Sequence, residues 1–172
     1  TGILTYTGAA LIAGDLTLDT TTANAITFGG TLDSSGGARA LTLDATTAAV
    51  QFGGVVGGTT AFGAIAITGA MDLNSDIGDS SVGAASLTVS TTSDFADAAN
   101  NIALVRTTGI QTYSGAANLT DNTSLINTNS AITFGAALTS VASGDKTLTI
   151  NTGSAATTFT GTVGAGTGRE LG

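Results

Sequence analysis

The segment Gly2-Ile3-Leu4-Thr5-Tyr6-Thr7-Gly8-Ala9-Ala10 returns 107 positions later as Gly109-Ile110-Gln111-Thr112-Tyr113-Ser114-Gly115-Ala116-Ala117. Four more matches follow in the same order at an offset of 106 or 107. Ala25-Ile26-Thr27-Phe28-Gly29 returns as Ala131-Ile132-Thr133-Phe134-Gly135, and Leu41-Thr42-Leu43 as Leu148-Thr149-Ile150. Phe52 returns as Phe159, and Val56-Gly57 as Val163-Gly164. Collinear matches at one offset mean duplication. The chain therefore holds one long unit, residues 1–107, and the start of a second, 108–172, continuous with the first. Tandem copies restrict the fold to repeat architectures, in which each unit buries its apolar side against the next.

A shorter period runs inside the long one. Pairs of apolar residues flank a single small or polar residue at Leu16/Leu18, Ile26/Phe28, Leu41/Leu43, Val50/Phe52, Ile65/Ile67, Leu87/Val89, Ile132/Phe134 and Leu148/Ile150. Alternation of this kind marks a strand with one buried face. Alternate pairs recur every 22 to 25 residues, as in Leu16 to Leu41, Ile26 to Val50 and Ile65 to Leu87. The spacing predicts an all-β parallel β-helix, or β-solenoid, of about 7–8 turns, each rising about 4.8 Å to give a rod of roughly 35 Å. Tyr6, Phe28, Phe52, Tyr113, Phe134 and Phe159 are the expected inward core ladder. Asp33-Ser34-Ser35-Gly36-Gly37, Gly53-Gly54 and Gly57-Gly58 read as corners. The 107-residue unit is not an obvious whole number of such turns. Two solutions stay open: five turns, some shorter, or four with an irregular insertion within residues 70–107, where Asp94–Asn100 reads as a loop.

Composition agrees with strands. Threonine, about a fifth of the chain, fits a pleated surface, and without proline every residue can donate to a ladder. No helical recurrence of apolar residues stands out. Twelve acids against 4 bases give a net charge of −8, and Arg39, Arg106, Lys146 and Arg169 are too dispersed to follow a phosphate backbone, so nucleic acid is not an expected partner. No apolar run approaches the roughly 20 residues of a membrane-spanning helix. Opening at Thr1 without an initiator methionine, the chain reads as a piece of something longer.

The inventory for catalysis is thin. Histidine and cysteine are absent and Glu170 is the lone glutamate, so a hydroxyl nucleophile has no histidine base and the chain is not expected to be an enzyme. Asp15/Asp19 and Asp72/Asp76 are the nearest approach to a glycosidase carboxylate pair, but aspartates at turns bond their own backbone. The densest set of oxygen ligands is Asp72, Asn74, Asp76 and Asp79, whose D-x-N-x-D start is similar to a calcium loop. Its glycine stands at the seventh position instead of the sixth, and no glutamate follows at the twelfth. Calcium is the one cofactor these residues suggest; otherwise none is expected. Gly53–Gly58 lacks the lysine of a phosphate loop. A threonine array for binding ice would draw on Thr5, Thr7, Thr17, Thr112, Thr147 and Thr149, which show no single outward T-x-T column at the turn period.

Gln111-Thr112-Tyr113-Ser114-Gly115, Ala131-Ile132-Thr133-Phe134-Gly135, Lys146-Thr147-Leu148-Thr149-Ile150-Asn151 and Thr157-Thr158-Phe159-Thr160-Gly161-Thr162-Val163-Gly164 resemble the tandem repeats of giant haemagglutinin-like, filamentous bacterial surface adhesins. The resemblance covers most of the chain outside residues 70–107. It implies a right-handed β-helical shaft, export to the cell surface or beyond, and no catalytic residues. The partners it implies are further copies or neighbouring repeats, joined head to tail, for a fibre or an adhesive shaft. A competing expectation is an exposed face that binds a surface glycan or a host protein, for which an outward cluster of aromatics would be the mark.

Overall fold

The computed structural model describes residues 2–141 and 146–164, and these form a β-solenoid of about seven turns with no helix. Each turn has three sides, taken here in the order in which the chain first meets them. Face one begins with the strand Leu4–Tyr6, face two with Ala10–Ile12 and face three with Leu16–Asp19. All strand pairs are parallel. On face one Leu4 lies beside Ile26, Ile26 beside Val50 and Val50 beside Met71, steps of 22, 24 and 21 residues. Met71 then pairs with Ser93, Ser93 with Ala117, and Ala117 with Leu138. Face three climbs in the same way through Leu16, Leu41, Ile65, Leu87, Gln111, Ile132 and Thr157.

Face two is less regular. Leu32, Val56 and Ile77 touch by single bridges, and Ile77 reaches Val105 only after 28 residues. From there Ile102–Arg106, Asn122–Ile126 and Leu148–Asn151 restore a true ladder.

Period-two alternation puts one set of side chains inside. Ile26, Leu32, Leu41, Leu43, Val50, Phe52, Leu73, Leu87, Val89 and Leu119 are each fully shielded, forming one core along the rod axis. A chain this poor in aromatics fills the space because three faces converge on a narrow centre, where Val, Leu and Ala suffice.

The corners explain the aspartates and glycines. Asp19 and Asp44, stacked in register, each accept from the backbone N–H two residues on, Thr21 at 2.7 Å and Thr46 at 2.8 Å, bending the chain from face three to face one. At the corner after face one, a Cβ on Gly30 would lie 2.5 Å from the Gly8 carbonyl carbon, and one on Gly54 2.6 Å from that of Gly30. Backbone rests directly on backbone there, so only glycine fits.

The long unit resolves without either expected solution. Between Leu4 and Gln111 the chain makes fourteen strand positions on three faces, which is four and two-thirds turns. Leu4–Tyr6 lies on face one, and its repeat Gln111–Tyr113 lies on face three. Likewise Ile26–Phe28 is on face one and Ile132–Phe134 on face three, while Leu41–Leu43 on face three returns as Leu148–Ile150 on face two. The second copy is the first turned by one side. Residues 70–107 follow the stack through Met71–Leu73, Ser86–Val89, Ser93–Phe95 and Ile102–Arg106, while the face-two step from Ile77 to Val105 lengthens to 28 residues. Asp94 and Phe95 belong to a strand, so the loop expected at Asp94–Asn100 begins after them, at residue 96.

Candidate functional site

The rotation divides the expected core ladder in two. Tyr6, Phe28 and Phe52 stack on face one with centroids 5.1 and 5.8 Å apart and rings within 11° of parallel. Tyr113, Phe134 and Phe159 stack on face three at 5.2 and 5.1 Å. Phe95, on face one, meets Tyr113 edge-on across the core at 5.2 Å. The six residues thus form two ladders, because a 107-residue shift carries a column to the adjacent side.

Tyr113 is the one fully buried hydroxyl of these stacks. It donates to Gln111 Oε1 at 3.0 Å, and Gln111 Nε2 in turn donates to the Val105 and Ile126 carbonyls at 3.2 and 3.0 Å. Burial pushes the Tyr113 phenol well above its ordinary pKa. The network fastens faces two and three in the middle of the rod. Sequence reading missed it, although glutamine replacing the leucine of the first copy is a visible signal.

The calcium candidates do not converge. Asp72 Oδ2 accepts from Gln51 Nε2 at 2.9 Å and its Oδ1 from Asn74 Nδ2 at 2.7 Å. Asp76 Oδ1 accepts from the Leu104 N–H at 2.7 Å, tying its corner to the next turn. Asp79 Oδ1 takes the N–H groups of Ser81 and Val82. Burial raises the pKa of Asp76 despite the bond from Leu104, whereas the Ser81 and Val82 amides lower that of Asp79. Each carboxylate is committed to backbone or amide donors. No group of three or more acidic, histidine or cysteine side chains suited to a metal ion occurs among the described residues.

The glycosidase pair fares similarly. Asp15 accepts from the Ala40 N–H at 2.9 Å and Asp19 from that of Thr21. Lys146 pairs with Asp121 at 3.3 Å. Arg39 donates to the Ser35 carbonyl and Arg106 to that of Asp79, whereas Arg169 and Glu170 lie outside the described residues. No cavity opens among the described residues.

The outer faces are ordered rows. On face three Thr17, Thr42, Ala66, Thr88, Thr112, Thr133 and Thr158 stand in one continuous register. A single threonine row thus runs along face three, interrupted at Ala66. Two residues on lies Asp19, Asp44 and then Thr68, so no two-threonine rank runs the full length. Thr5 and Thr27 belong instead to face one, in a row continued by Gln51, Asp72, Asp94, Asn118 and Thr139. All the aromatics of the stacks point inward, and Tyr6 and Phe159, the outermost rings, are each 39% exposed.

No family model, curated protein or solved structure matches this chain.

Proposed function

We propose that the chain is a structural, self-associating shaft module of a bacterial extracellular fibre or surface adhesin. The observation that carries this reading is an unbroken parallel stack in which the second repeat unit continues the ladders of the first. Among the described residues Leu4–Tyr6 pairs in parallel only with Ile26–Phe28, and Thr157–Phe159 only with Ile132–Phe134. Each end also leaves apolar side chains exposed, Ile3 and Leu11 at one and Val163 at the other. An unpaired parallel edge is a template for a further strand, and a head-to-tail contact that does not close a ring grows a filament. Between the ends, carboxylates and threonines serve the corners and ladders, so the body supplies length and stiffness. Export to the cell surface belongs to this proposal through the resemblance of the repeats.

Electron micrographs and sedimentation of the purified chain test it. Rods of one width that lengthen as concentration rises are the expected result. A species that stays monomeric at every concentration would overturn self-association.

A further inference from the structure

Asn127 stands at the corner between faces two and three in the sixth turn, one residue beyond the strand Asn122–Ile126. It is 6% exposed, and its Nδ2 is buried with no hydrogen-bond partner among the groups of the protein. The amide cannot be turned round to hide that donor, because Oδ1 already accepts from the Ser130 N–H at 3.2 Å. A buried donor left without an acceptor is costly, so the corner needs a further group.

The first repeat unit shows what has changed there. The counterpart of Asn127, 107 positions earlier, is Thr20, fully buried and satisfied by donating its hydroxyl to the Asn24 carbonyl at 2.8 Å. The two stand in the same relation to the turn above: the Thr20 N–H donates to the Asp44 carbonyl, and the Asn127 N–H to that of Asn151. The residues that follow those carbonyls are Ala45 in the first unit and Thr152 in the second. Two polar groups thus enter together on adjacent turns, an amide in place of a hydroxyl and a hydroxyl in place of a methyl. Thr152, 8% exposed, gives its proton to the Ala155 carbonyl at 2.6 Å, which leaves its oxygen free to accept. Thr107, one turn below Asn127, already donates to the Gly109 carbonyl and accepts from Gln111 Nε2.

We propose that this corner binds one buried water molecule, which accepts from Asn127 Nδ2 and donates to Thr152 Oγ1. Water suits the site better than an ion does: Thr107, Gln111, Asn127, Ser130 and Thr152 are all neutral, and a charge among them would be buried without a counter-charge. A single water needs only about 10–15 Å³ of free volume, far less than a ligand cavity, and it forms bonds nearly as good as direct ones. It ties the sixth turn to the seventh just above the Gln111–Tyr113 network.

Nuclear magnetic resonance of the isotope-labelled chain tests the site, in solution or, where the chain has assembled, under magic-angle spinning. A cross-peak between a long-lived water and the Asn127 side-chain NH2 is expected in the parent, and it should lose at least half its intensity in Thr152→Val. Absence of the peak in the parent overturns the proposal, and full intensity in Thr152→Val refutes the bridge. Asn127→Thr, which installs the residue of the first unit, separates the alternatives by the sign of its effect on urea unfolding. With a water bound, the substitution removes its bonds and the midpoint falls. A midpoint that rises would show that the amide had been a donor without a partner, and the site would be refuted.

Discussion

Gly2–Ala10 and Gly109–Ala117 are nearly the same words in two settings. Tyr6 ends a ladder and is 39% exposed, whereas Tyr113 is fully buried between Phe134 above and the edge of Phe95 across the core. Leu4, partly buried, corresponds to Gln111, wholly inside and bonded to two other segments. Gly8 faces open space, and Gly115 rests on backbone. Among the described residues the same side chains are thus lightly packed in the first copy and closely packed in the second. Position in the stack, more than local sequence, decides what a side chain contributes.

The widest separation between the two settings is expected from removing the rings. Tyr113→Ala should cost about 3–5 kcal/mol in urea unfolding, the range for deleting a large buried aromatic, while Tyr6→Ala in the unassociated chain should cost less than about 1 kcal/mol. Equal losses would show that the end turn is as tightly held as the middle, and the comparison would fail.

Next in size are the corner glycines. Gly115→Ala pushes a methyl into the Thr91 backbone and should destabilise by about 1–3 kcal/mol, while Gly8→Ala should stay within about 0.5 kcal/mol. Thermal unfolding of dilute samples, where association is negligible, measures both. A large effect at Gly8 under those conditions would mean that the end corner is already packed against something.

Gln111→Leu puts the first copy's residue into the second copy's place. It removes the acceptor of the Tyr113 hydroxyl and the donor to two carbonyls, and should cost on the order of 1.5 kcal/mol. Adding Tyr113→Phe should recover part of the loss, because no stranded hydroxyl remains. A double-mutant cycle that shows simple additivity would deny that the two side chains act together.

How much of this was readable beforehand follows from what a pattern can encode. Apolar pairs such as Ile26/Phe28 and Leu41/Leu43 announce strands and turn length, because period-two alternation is local. Asp19 caps its own corner through the Thr21 N–H, as a local pattern can announce, whereas Asp15 and Asp76 accept from Ala40 and Leu104 in the next coil, which no local pattern shows. Which strand shares a face with which is not local: it depends on the summed length of every corner. A few residues more in the step from Ile77 to Val105 and fewer from Val105 to Leu125 leave the apolar pairs intact. Hence the offset of 107 was plain while the rotation it implies was hidden, and with it the division of the aromatic ladder and the threonine row of face three. The clustering of Asp72, Asn74, Asp76 and Asp79 misled because closeness in sequence across a corner says nothing about where the carboxylates point.

The smallest effect concerns the proton on Tyr113. Burial raises its pKa in the folded chain, so the unfolded chain loses this proton first, near pH 10. The contribution of this hydroxyl to stability is therefore complete below about pH 10 and drains away as pH climbs from there toward the folded value. At pH 11 the loss should be about 1.4 kcal/mol, one unit beyond the unfolded pKa. Urea midpoints between pH 8 and pH 11 should fall in the parent along this course, and Tyr113→Phe should remove that part of the slope. A slope unchanged by the substitution would mean that the ring at 113 can reach water when ionised, and the contrast with the open end of the rod would lose its sharpest term.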